Sequence, residues 1–215
     1  MRRSLSRNKI LLGVAATVAV GAFAGWLVWR SSVHRGGPLD QPGWAGTAVP
    51  IVTGDIAVAG DYQVLNYGHQ AVVLEAARPL GLPAGLELLR TYALGKQRPR
   101  QSGGGMHWWP DDEIYPRKLL QPVRGFHAPP DRKGELIGGT NIVFLVRAKR
   151  SGTYGFDFVE LRYRVGNKRY RRIITNSWAA CARPKGTPEK MCDAPLDPPS
   201  DKQLDQWYDR TSGDW

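Results

Sequence analysis

Short apolar runs broken by turn residues dominate the chain from residue 56 onward. Residues 62–67 (YQVLNY) and 71–76 (AVVLEA) are separated by Gly68-His69-Gln70, the pattern of two strands joined by a turn. Residues 86–94 (LELLRTYAL) read as a further strand, with a short helix as the alternative that their leucines allow. Residues 141–148 (NIVFLVRA) are almost continuously apolar and β-branched, as expected of a central strand buried on both faces. Residues 158–165 (FVELRYRV) alternate: Phe158 is followed by Val159, Leu161, Tyr163 and Val165 on one face, with Glu160, Arg162 and Arg164 on the other. Residues 169–175 follow a Gly166-Asn167 turn. Many short strands, frequent turn signals and no clear soluble helix predict an all-β sandwich over residues 55–182.

A different pattern precedes it. Ile10 to Trp29 contains no charged residue, and at 1.5 Å per residue such a helix matches a bilayer core of about 30 Å. Arg2, Arg3, Arg7 and Lys9 lie before it, which places residues 1–9 in the cytoplasm and everything after residue 30 outside. Trp26 and Trp29 fall at the outer end, where indole rings favour the headgroup layer. The competing reading is a cleaved signal peptide ending at Ala22-Phe23-Ala24. The apolar run continues past that point without a polar break, so a transmembrane signal-anchor at 10–29 is the preferred reading. Residues 30–54, rich in Gly and Pro, read as a linker. Residues 183–215 read as a tail with one helical turn near Leu204–Tyr208.

The charge changes this picture little. Thirty basic and 19 acidic residues give a net +11. Five of the basic residues flank the apolar run and all the acidic ones lie beyond it, leaving 25 against 19, or +6, for the exported part. That excess admits an anionic partner without requiring one, and an exported location argues against nucleic acid. Export also assigns the two cysteines. In an oxidising compartment Cys181 and Cys192 are expected to form a disulfide rather than a catalytic or metal site.

The unusual feature is the basic hairpin. With Gly166 and Asn167 as a two-residue primed turn, Tyr163 faces Tyr170, Arg164 faces Arg169 and Arg162 faces Arg171. One face then presents two like-charged cross-strand pairs, each destabilising by up to about 1 kcal/mol. The same register sets Arg172 opposite Leu161, so a bulge is expected near Arg171. Acidic neighbours or water could absorb this charge, and an anionic lipid or wall polymer, or an acidic protein partner, could also do so. Arg162, Arg164, Arg169 and Arg171 are therefore the candidate binding residues.

A long insert, 95–137, carries a second candidate. His107, Trp108, Trp109, Asp111 and Asp112 combine rings able to stack on sugars with carboxylates, but their spacing fits no defined metal site. The alternative is that the tryptophans fold back over the sandwich. No G-x-S-x-G, H-E-x-x-H or P-loop is present, so no catalytic residue, metal or cofactor is assigned.

The stretch VLNYGHQAVVLEAA resembles the L-x-N-x-G-x-x-x-V-x-L strand pair of immunoglobulin-like domains in exported bacterial proteins, and GTYGFDFVELRYRVGNKRYRR resembles the later Y-R-x-G-x-x-x-Y hairpin of membrane-anchored proteins of high-GC bacteria. The resemblance covers about residues 55–182 and implies an immunoglobulin-like sandwich in an exported location, with no catalytic residues. The expected protein is a single-pass, non-enzymatic interaction module of a cell-envelope assembly. A binder of anionic polymer, lipid headgroups or carbohydrate is the alternative, and a small envelope hydrolase using His107 and His127 the third.

Overall fold

The computed structural model describes residues 33–43, 46–95, 109, 115–131, 139–188, 192–194 and 196–210. They form two packed β-sheets. The strands are β1 (Val33–Arg35), β2 (Leu39–Asp40), β3 (Gly46–Val52), β4 (Ile56–Asn66), β5 (Val72–Leu80), β6 (Leu86–Leu94), β7 (Gln121–Pro122), β8 (His127–Ala128), β9 (Thr140–Ala148), β10 (Gly152–Val165) and β11 (Lys168–Arg183). The first sheet runs β1-β11-β10-β5-β8, with β3 also on β11, and the second runs β2-β4-β9-β6-β7. Among the described residues one α-helix, α1 (Asp201–Arg210), follows the strands.

Three apolar clusters follow from the alternation of side chains along the strands. The main core lies between the sheets and is centred on Tyr62, Phe144, Phe156, Leu161, Tyr163 and Trp178. Central strand β9 feeds both of its faces, as its continuous apolar sequence predicts. Ile142, Phe144 and Val146 enter the main core, while Val143 and Leu145 join Val58, Leu94 and Tyr115 on the outer face of the second sheet. The third cluster, Leu80, Phe158 and Ile173, lies on the outer face of the first sheet under Leu204, Trp207 and Tyr208 of α1. Phe158 thus shares the outer face with Glu160 and Arg162, as alternation from Val159 requires. The register shift between Phe156 and Phe158 is what brings Phe156 into the core.

Residues expected as a linker prove to be part of the sandwich. β1 and β3 run parallel to successive halves of β11, Val33–Arg35 beside Arg169–Arg171 and Gly46–Val52 beside Ser177–Arg183. Between them β2 crosses to the second sheet and pairs with Leu65 and Asn66. The gap this leaves on the edge of β11 is bridged by one backbone amide and two side chains. The Gly36 amide donates to the Arg171 carbonyl, the Ile173 amide donates to the Tyr208 hydroxyl, and the Gln41 carboxamide accepts from the Thr175 amide and donates to its carbonyl. These bonds occupy backbone groups of Arg171, Ile173 and Thr175 in the gap between β1 and β3, which lessens the aggregation hazard of an open edge. Pro50 lies in β3 at the outer margin of the sheet, a position where a missing amide hydrogen is tolerated.

Local chemistry fixes the β4–β5 turn. Buried Asn66 donates from Nδ2 to the Gln70 and Ala128 carbonyls at 2.9 and 3.0 Å, and its Oδ1 accepts from the Gly68 amide. A side chain at 68 would meet Pro38 at 2.9 Å, which accounts for the glycine two residues after the asparagine. The tail is tied at its start by the Cys181–Cys192 disulfide. Closing that short loop contributes about 3 kcal/mol in the chain-entropy model. Among the described residues no helix is long and apolar enough to cross a membrane, and residues 10–29 lie outside them.

Candidate functional site

The β10–β11 hairpin has the register that its sequence predicts: Val165 faces Lys168, Arg164 faces Arg169, Tyr163 faces Tyr170, Arg162 faces Arg171 and Leu161 faces Arg172. Gly166 adopts φ +55°, as the primed turn requires. The tyrosine rings stack at 5.4 Å on the core side. The bulge expected near Arg171 is absent, since pairing continues unbroken from Val165 to Phe158. Arg172 is accommodated instead by reaching Asp40 of β2 at the seam between the sheets.

The four candidate arginines divide into two groups. Arg171 is buried, with 3% of its side chain exposed. Its Nε donates to Glu160 Oε1 at 2.6 Å, while Nη1 and Nη2 donate to the carbonyls of Tyr208 and Trp207 at 3.1 and 3.2 Å. Its guanidinium also lies 5.2 Å from the Tyr208 ring. The Glu160 side chain is fully buried and additionally accepts from Arg78 at 2.6 Å and Arg162 at 3.4 Å. Burial alone would raise the Glu160 carboxyl, but the hydrogen bond and charge of Arg78, with Arg162 and Arg171, outweigh it and hold the group below its ordinary range. A cation under the last carbonyls of a helix also complements the helix dipole.

The second group faces solvent. Arg164 is exposed and reaches only the Gly166 carbonyl at 3.5 Å, and Arg169, half exposed, lies 3.5 Å from Glu75. Lys168 beside them is exposed. The outer face of the hairpin and β5 thus carries Arg78, Arg162, Arg164, Arg169 and Arg171 against Glu75 and Glu160. The balance of positive charge is concentrated at the turn.

The insert gives a partial view. Trp109 packs with Leu119, Leu120 and Tyr92 on the outer cluster of the second sheet, its amide donates to the Ile56 carbonyl at 3.3 Å, and Arg117 lies 5.5 Å from its ring. His107, Trp108, Asp111 and Asp112 lie outside the described residues. His127 lines a cleft of about 420 Å³ with Leu94, Gly95, Leu119 and Phe126, and among the described residues no carboxylate lines it. Among the described residues no group of three or more His, Cys, Asp or Glu could hold a metal.

Helix α1 was legible only in part. Its full length is set by a capping box: Gln203 Oε1 accepts from the Ser200 amide at 2.8 Å, and the Gln203 amide donates back to Ser200 Oγ at 3.4 Å. The Ser-x-x-Gln spacing after Pro198-Pro199 carries that signal in the sequence.

No family model and no curated protein matches the chain. Among solved structures, the Vibrio cholerae VesB protease aligns at 14% identity and a TM-score of 0.31, over 66% of this chain and 31% of that one. PapD-like domain 7 of human CEP192 aligns at 9% identity and a TM-score of 0.32, over 68% of this chain and 86% of that one. The chain thus spans less than a third of the protease's length, and at these scores neither likeness transfers an activity, ligand or partner.

Proposed function

We propose that this chain is a single-pass membrane protein, N-terminus in the cytoplasm, that displays an immunoglobulin-like sandwich outside the membrane as a non-enzymatic interaction module of the cell envelope. The uncharged run 10–29 behind four basic residues supports the anchor and its direction, and the Cys181–Cys192 disulfide is in keeping with an oxidising compartment. One observation carries the binding role. The fold uses Arg171, Arg78 and Arg162 to hold Glu160 and α1, yet leaves Arg164 and Lys168, with half-exposed Arg169, as surplus charge at the hairpin end. Like charges paired across a sheet weaken it, so an anionic surface at that end would relieve a cost the fold itself carries. Trp109, held against the second sheet, gives the carbohydrate alternative no support.

The test is photocrosslinking in native membranes from a reactive residue at exposed position 167. The reading predicts a reproducible envelope adduct that disappears when Arg164, Lys168 and Arg169 are replaced by alanine. An adduct pattern indifferent to those replacements would contradict it.

A further inference from the structure

We infer that the anionic surface met by the hairpin end is the headgroup layer of the bilayer that carries the anchor, and that this end of the sandwich lies against it. The inference rests on the anchored reading above and adds the orientation and the ligand. The decisive observation is the pairing of β1. Val33 sits beside Arg169, and β1 runs parallel to β11, so the chain before Val33 emerges at the turn end of the hairpin and not at the opposite end. Only residues 30–32 separate Trp29, the outer end of the apolar run, from Val33. Even fully extended, that connection reaches about 14 Å. Asn167 lies two residues beyond the position level with Val33, roughly 7 Å further toward the membrane. A domain held this closely, by this end, has its basic turn at the headgroups.

A second feature at the same end agrees. The β4–β5 turn is brought beside the hairpin tip by the pairing of Val73 with Arg164. It presents Tyr67, the large hydrophobic side chain that stays exposed among the described residues, at 41%. Tyrosine, with an apolar ring and a polar tip, is the residue type that settles at a membrane interface. Neither residues 67–71 nor 164–169 include an acidic side chain. Glu75 is the carboxylate paired to this group, through Arg169, and Asp209 is occupied further along by Arg35. An exposed tyrosine and three cations around one short tether fit an anionic lipid surface better than a discrete acidic protein patch.

The experiment uses the full chain reconstituted in vesicles of phosphatidylcholine, alone or enriched in phosphatidylglycerol. Both native cysteines are in the disulfide, so a thiol introduced by Asn167→Cys can carry a fluorophore, and headgroup-labelled nitroxide lipid serves as quencher. Ser151→Cys, exposed at the far end of β10 and about 45 Å away, is the control. Strong quenching at 167 and little at 151, enhanced by phosphatidylglycerol, is expected. Replacing Arg164, Lys168 and Arg169 by glutamate should remove the enhancement, each lost cation weakening contact about five-fold. Should that variant unfold, raising salt on the Asn167→Cys protein should remove the same component. Quenching at 167 no greater than at 151, or indifferent to lipid charge, overturns the inference while leaving the anchor intact. A chain that fails to float with the vesicles overturns the anchored reading itself. A fluorophore unquenched by lipid at 167, with a protein adduct from that position in native membranes, would assign the end to an acidic protein and overturn the lipid assignment.

Discussion

Replacing Glu160 by glutamine is expected to lower the unfolding free energy by about 3–5 kcal/mol, a large part of what holds a domain of this size folded. The reason lies in what remains. Arg171 is almost fully buried, so loss of the carboxylate leaves an uncompensated guanidinium beneath the sheet's outer cluster. The carbonyls of Trp207 and Tyr208 would still accept from Arg171, but they carry only partial charge. The same arrangement predicts a pH dependence. The folded-state carboxyl of Glu160 lies below its ordinary value, so its contribution is present above about pH 4.3, where the unfolded group ionises, and is lost as pH falls toward the lower folded value. Denaturant titrations should show the wild-type chain losing stability through that window and Glu160→Gln responding more weakly. Equal slopes in the two proteins would mean that Glu160 is not held below its ordinary range.

The second large effect is expected in the main core. Phe144→Ala should cost about 3–5 kcal/mol, read as a lower denaturant midpoint at unchanged m-value. Phe144 is fully buried at the centre of β9 and lies edge-on to Tyr62 and Phe156, with ring centroids at 5.3 and 6.1 Å. Phe156 in turn contacts Trp178 at 5.6 Å, so the vacancy would open inside an aromatic group drawn from both sheets. Rings packed in this way cannot collapse into a space of that shape without leaving their rotamers. A loss near 1 kcal/mol would show that the core repacks freely.

How much of this was legible beforehand depended on where the determining interactions lie. The hairpin register could be read as far as the Arg162–Arg171 pair, because a Gly-Asn turn and a tyrosine pair fix it locally, but the bulge expected near Arg171 did not form. Strand β9 was equally plain, its unbroken apolar run needing two buried faces. Strands β1 to β3 gave no such signal. They are short or edge strands in a Gly- and Pro-rich stretch; β1 and β3 are held by backbone pairing to β11, more than a hundred residues away, β2 by pairing to β4, and the connection by Gln41 on Thr175. The inward turn of Phe156 follows from a register shift that alternation alone cannot reveal. Of the candidate site, the arginines were found but their division was not. Arg171 and Arg164 are alike in sequence, and only the arrival of Glu160, Arg78 and the end of α1 separates a buried structural cation from an exposed one.

The most direct measurement of the central claim, a sandwich displayed outside the membrane with its basic end toward it, is thiol labelling in wall-stripped intact cells. Ser151→Cys and Asn167→Cys proteins would each be exposed to a membrane-impermeant maleimide, then recovered from carbonate-washed membranes. The account predicts labelling of position 151 before lysis, slower labelling of position 167, and retention of both proteins in the membrane fraction. Labelling of position 151 only after lysis, or release of the chain by carbonate, would contradict it.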